Sequence, residues 1–249
     1  MKPFPVKVVV GGAPEPMKAL DKVKIIENNE PLVDIRKSCP LVKFPDDAGT
    51  PDGMTPFLRQ TAAQMLDQAS RKLPSGYQLY ALSAFRSFQR QKSLWYQHYD
   101  LHKKLHPSWP ESALRRAANK YAAPVDRPAP PGHCTGAAID VVLQKSDGSF
   151  VDVLPDCGKD TASVHRNNRV FDNLSLNQVS EWKLGATWAP KLPEDVKKLR
   201  MILIETMLGV GFSNCRDEYW HFSYGDSGWA VRVGVKECPY GIIDAPKLK

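Results

Sequence analysis

Long apolar runs are missing from this chain. Its most apolar helical stretch, Met201-Ile202-Leu203-Ile204, is far short of the roughly 20 residues that span a bilayer, so a membrane-spanning helix is excluded. The start, Met1-Lys2-Pro3-Phe4-Pro5, is followed only by Val8-Val9-Val10 where a secretory leader needs a longer apolar segment, and a cytoplasmic protein is expected. Cysteine is scarce and unpatterned. Cys39, Cys134, Cys157, Cys215 and Cys238 are odd in number and contain no Cys-x-x-Cys pair, which argues against both a disulfide framework and a thiolate zinc site. A concentrated basic stripe is absent too. The 34 Lys and Arg residues outnumber 27 acidic ones for a formal charge of +7, but they are scattered, so nucleic acid is not an expected partner. The positive balance at most favours encounter with carboxylate-bearing substrates. What is present is a globular composition, 42% hydrophobic and 24% charged over 249 residues, enough for one substantial core. The expected organisation is an extension over 1–30, a single domain over 31–235 and a tail over 236–249.

Chemistry concentrates in two stretches, Pro131-Gly132-His133-Cys134-Thr135-Gly136-Ala137-Ala138-Ile139-Asp140 and Asp217-Glu218-Tyr219-Trp220-His221-Phe222. Together they offer two imidazoles, one ligating carboxylate and one spare carboxylate, the inventory of a hydrolytic zinc site. Three protein ligands, His133, Asp140 and His221, leave a fourth position for water. Glu218, not itself a ligand, is the general base. An aromatic strand over 219–224 would carry His221, and Glu218 would approach from the bend that enters it. Asp140 would lie on a strand over 137–143, with His133 reaching in from a loop that Gly132 and Gly136 allow to bend. A rival set is His98, His102 and His106 at successive i,i+4 steps on one helix. Position 99 is Tyr, so the His-Glu-x-x-His pattern is not met, and a solvated helix face is the expected reading there.

Around these stretches the sequence predicts a strand over 6–10, a short strand over 32–35, a loop over 43–54, and a helix capped by Thr55 with Pro56 as its first residue, ending before Pro74. A strand over 77–84 ends near Arg86. Helices follow over 87–105 and from Pro110 to about 122, then a proline-stiffened approach over 123–131. Ser146-Asp147-Gly148-Ser149 reads as a hairpin turn into 150–153, and a helix over 194–208 stops at Gly209. Val231, Val233 and Val235 alternate at the start of the tail. The fold class expected is α+β, a single domain with a mainly antiparallel sheet backed by helices and the metal at one sheet face.

His-x6-Asp followed far downstream by Glu-x-Trp-His, with Ser83-Ala84-Phe85-Arg86-Ser87 upstream, resembles the D-alanyl-D-alanine dipeptidase (VanX-like) group of zinc D,D-peptidases. The likeness runs from Leu32-Val33-Asp34-Ile35-Arg36 through His106-Pro107-Ser108-Trp109 to Phe222-Ser223-Tyr224-Gly225-Asp226, in one order. It implies the zinc D,D-peptidase (hedgehog/DD-peptidase-like) fold, Zn2+ as cofactor, and a small D,D-dipeptide as substrate. It further implies Arg86 as the oxyanion stabiliser. Phe171-Asp172 matches a pair that shapes the family's substrate pocket, with a cap or loop aspartate as the alternative for Asp172. Two positions depart from the pattern: Pro131 stands where many relatives have Ser, and Cys134 adjoins ligand His133, as an accidental extra ligand or a small packed thiol. A D,D-carboxypeptidase or cell-wall endopeptidase on the same scaffold, or a zinc-binding module without catalysis, are the other readings. Glu218 and Arg86 argue against the last, because neither is needed to hold a metal.

Overall fold

A computed structural model describes residues 11–44, 55–149, 151, 185–189 and 192–243. In chain order the described strands are β1 (Lys24–Ile25), β2 (Leu32–Asp34), β3 (Phe57–Arg59), β4 (Tyr77–Ser83), β5 (Ala138–Lys145), β6 (Ser213–Asn214), β7 (His221–Ser223) and β8 (Glu237–Cys238). The described helices are α1 (Met17–Leu20), α2 (Ile35–Ser38), α3 (Gln60–Lys72), α4 (Phe88–Leu105), α5 (Glu111–Ala118), α6 (Glu194–Leu208) and α7 (Ser227–Val233). A 3-10 turn over Gly132–Thr135 precedes β5.

The central sheet has the order β4-β5-β7-β6 and every pair in it is antiparallel. This agrees with the α+β expectation, although β2 and β3 form a separate antiparallel pair and β1 runs parallel to β8. Period-two alternation puts Ile139, Val141 and Leu143 of β5 on one face. They join Leu79 and Ala81 of β4, Leu66 and Ala69 of α3, and Leu203 and Met207 of α6 in one buried core. Each such Leu or Ile, fully withdrawn from water, contributes about 1.5–3 kcal/mol. Asp140 lies on the other face, paired across the ladder with Ser83 on one side and His221 on the other. The pairing of β4 with β5 slips between Ala81 and Ser83, and a bulge of this kind re-aims the residues at a strand's end.

Local chemistry explains most boundaries. The Ser87 hydroxyl accepts from the Arg90 amide at 3.2 Å and opens α4, while Glu194 and Asp195 sit in the first turn of α6 where the helix dipole favours acids. The turn at 146–149 forms as expected, with Gly148 at φ 86° and its amide on the Lys145 carbonyl at 2.9 Å.

Three expectations are corrected. Thr55 does not cap a helix: its hydroxyl donates to the Phe85 carbonyl at 2.7 Å, residues 57–59 pair with 32–34, and α3 begins at Gln60. Val231 and Val233 belong to α7 rather than a strand, because the Asp226 carboxylate accepts from the Trp229 amide at 2.6 Å and Gly234 closes the helix at φ 76°. The histidine face of α4 is not solvated. His98 and His102 are buried and both stack on Tyr121, at 5.0 and 5.7 Å between ring centroids. The expectations for 6–10, for most of the 43–54 loop, for the strand over 150–153 beyond buried Val151, and for Asp172 fall outside the described residues.

Candidate metal centre

Three elements deliver the candidate ligands to one point. β5 and β7 place Asp140 and His221 directly opposite each other, and the turn over Gly132–Thr135 brings His133 alongside. One ligand atom from each of His133, Asp140 and His221 lies within 4.8 Å of the others. The Asp140 carboxylate spans the imidazoles, with Oδ2 at 3.2 Å from His133 Nε2 and Oδ1 at 2.9 Å from His221 Nδ1. No other cluster of three such groups occurs among the described residues, so His98, His102 and His106 do not form one.

The His133 ring is set from behind. Its Nδ1 lies 2.7 Å from the Ala84 carbonyl, which can only accept, so Nδ1 carries the proton and Nε2 keeps its lone pair toward Asp140. The turn itself needs glycine twice. Gly136 has φ 70°, and a Cβ on Gly132 would collide with Asp226 Oδ2. Cys134 is fully buried, burial pushes its thiol up to about 12, and it stands outside the ligand cluster, as a small packed thiol would.

Glu218 enters from the bend before β7, its carboxylate 3.8 Å from His221 Nδ1. That is too long for a hydrogen bond, so the carboxylate is not committed to the imidazole. Its side chain remains 27% exposed, which leaves it an open side. Burial lifts the Glu218 carboxyl to about 7, and the Asp140 charge adds to this while His221 and Arg86 oppose it. Burial would also raise Asp140, but the two imidazoles outweigh it and hold this carboxyl below the usual range. His133 is pushed down, by burial first, while His221 is raised to about 9 because its bond to Asp140 overcomes burial. Two imidazoles and a carboxylate suit a borderline divalent cation, and binding one would displace the proton held on His221.

Arg86 follows the end of β4. Its amide donates to the His133 carbonyl at 3.1 Å, and its guanidinium donates to Gln91 Oε1 at 2.9 Å and to Ser83 Oγ at 3.1 Å. Ser83 and Gln91 are buried and have no role in the sequence reading. Ser83 stood inside the motif around Arg86, whereas Gln91 is one of several polar residues of α4 and carried no signal. Gln91 also donates to the Ala123 carbonyl at 2.9 Å, which ties Arg86 to the segment leading into the His133 turn.

The model of the VanY family, D-alanyl-D-alanine carboxypeptidase, matches residues 54–175, a span that contains Arg86, His133 and Asp140. A D-alanyl-D-alanine dipeptidase of Synechocystis sp. is 29% identical over 127 residues, 51% of this chain and 47% of that protein. The match thus spans about half the length of this relative. Over about half of its length the chain is thus similar to D-alanyl-D-alanine peptidases. Among solved structures, VanYB in complex with D-alanine-D-alanine is 16% identical, with a TM-score of 0.32 over 74% of this chain and 81% of that one. The vancomycin-resistance D,D-dipeptidase VanXYg, in complex with a D-Ala-D-Ala phosphinate analogue, is 18% identical, with a TM-score of 0.31 over 88% and 70%. At these scores neither likeness establishes a shared fold.

Proposed function

We propose that the protein is a zinc-dependent hydrolase of D-alanyl-D-alanine-type dipeptides, with its central antiparallel sheet belonging to the zinc D,D-peptidase fold. The observation that carries this reading is the convergence of His133, Asp140 and His221 within 4.8 Å, with the uncommitted Glu218 carboxylate 3.8 Å from His221. His133, Asp140 and His221 would hold the zinc, which when bound would supply a water of lowered pKa and Lewis-acid polarisation of the scissile carbonyl. Glu218 takes the proton from the attacking water and returns it to the departing amine. Arg86, held by Ser83 and Gln91, donates to the carbonyl oxygen as negative charge develops there. Asp172 is assigned to the substrate pocket on its family match alone.

The dipeptide substrate is supported by the Synechocystis relative's description and by the run Trp220-His221-Phe222-Ser223-Tyr224-Gly225-Asp226, which resembles the dipeptidases. No described helix is long and apolar enough to cross a membrane. One observation favours carboxypeptidase action instead, namely the description of the family model over 54–175. The two differ at the substrate amine, which a dipeptidase encloses and a carboxypeptidase leaves open to an acyl group. We expect kcat/KM for D-alanyl-D-alanine to exceed that for its N-acetylated form and for a tripeptide ending in the same pair. Equal or faster cleavage of the blocked substrates would replace the dipeptidase reading with the carboxypeptidase one.

A further inference from the structure

We propose that Arg59 is a positioning residue for the metal centre, gripping the turn that carries His133 and anchoring it to the two ends of the described chain. Arg59 closes β3 and is 3% exposed. Its amide donates to the Gly136 carbonyl at 2.8 Å and its Nε to the Thr135 carbonyl at 2.9 Å, two consecutive carbonyls just beyond His133. The rest of the guanidinium faces away from the turn. Nη1 donates to the Glu30 carbonyl at 2.6 Å, and Nη2 to Glu27 Oε2 at 2.9 Å and the Gly241 carbonyl at 3.4 Å.

The partners behind Arg59 are themselves tied down. Glu27 Oε2 also accepts from the Gly241 amide at 2.7 Å, and the Tyr240 hydroxyl donates to Glu30 Oε2 at 2.5 Å. The guanidinium lies over the Tyr240 ring, 4.9 Å from its centroid. A second strap reaches the same turn from the tail, where the Ile243 amide donates to the Cys134 carbonyl at 3.0 Å. Residues 27–30 and 240–243, placed by sequence in an extension and a tail, therefore act on the site.

A fork of this kind fixes direction as well as distance. Lysine could keep the charge opposite Glu27, but a single ammonium cannot bond the Thr135 and Glu30 carbonyls on opposite sides in fixed geometry. With that hold gone the turn shifts, and His133 Nε2 leaves the point it shares with Asp140 and His221. Partners that orient metal ligands typically affect metal affinity by about 10–100-fold.

This inference rests on His133 being a metal ligand, and its test separates the two claims. Zinc affinity of the full chain is measured by competition with a chromophoric chelator, below the melting temperature of every variant compared. Arg59→Lys and Arg59→Met are expected to bind zinc at least about 10-fold more weakly. Leu94→Ala, in the separate cluster between α4 and α5, is expected to lower the melting temperature and leave zinc affinity unchanged. If Arg59→Met does not fold, Arg59→Lys decides, because it retains a cation opposite Glu27. Wild-type affinity in Arg59→Lys, or affinities that follow melting temperature through the whole set, would overturn the proposal. If zinc also survives His133→Ala, the ligand assignment itself fails. Loss in His133→Ala with wild-type affinity in Arg59→Lys removes only the role of Arg59.

Discussion

Glu218→Gln is expected to retain the metal and to hydrolyse substrate at least about 10²–10⁴-fold more slowly than the native protein, the range of a general base. The amide matches the carboxylate in shape but cannot accept a proton. Glu218 lies outside the ligand cluster, and at 3.8 Å it makes no hydrogen bond to His221 that the change would break. Metal retention and turnover should therefore separate in this variant. The check is metal content and single-turnover rate on the same preparation. A near-native rate would remove the base assignment, and loss of the metal would mean that Glu218 belongs with the ligands.

Arg86→Ala is expected to lose about 3–4 kcal/mol of transition-state stabilisation, about two to three orders of magnitude in rate, as when an oxyanion donor is removed. The loss should fall on kcat with little change in KM, because in the proposed role the guanidinium acts on charge that develops during the reaction. Arg86→Lys should not restore it. The guanidinium is set by two buried partners, Gln91 Oε1 at 2.9 Å and Ser83 Oγ at 3.1 Å, and an ammonium cannot reproduce that planar two-point hold. Steady-state kinetics of the two variants decide the matter. A defect confined to KM would make Arg86 a ground-state binding residue.

The grouping of His133, Asp140 and His221 was legible in sequence because metal-ligand chemistry favours few residue types. Two stretches 81 positions apart carry His and Asp in a fixed order, and the ladder brings Asp140 and His221 opposite each other. The long helices were legible for a related reason. Over a span such as Glu194–Leu208, periodicity, acids at the start and Gly209 at the end all agree.

Short elements were harder, because a few residues satisfy more than one pattern. Val231 and Val233 fit an alternating strand as well as one side of a seven-residue helix, and the deciding facts were the Asp226 cap and the left-handed Gly234. At Thr55-Pro56 a sound local start signal lost to strand pairing of 57–59 with 32–34. The face bearing His98 and His102 was read as solvated because Tyr121, which covers both rings, lies beyond α5 and nothing local announces the contact. Gln91 and Arg59 stayed silent for the same reason. Their partners include carbonyls and a carboxylate distant in the chain, and a buried polar residue looks like any other until its partners are placed.

The central claim is that His133, Asp140 and His221 hold one zinc ion. Its most direct measurement is the zinc content per chain of the native protein beside His133→Ala, Asp140→Ala, His221→Ala and a His98→Ala/His102→Ala double variant. The account predicts about one zinc per chain in the native protein and in the double variant, and its loss from each of the other three. Zinc retained by the three single variants, or released by the double variant instead, would contradict it.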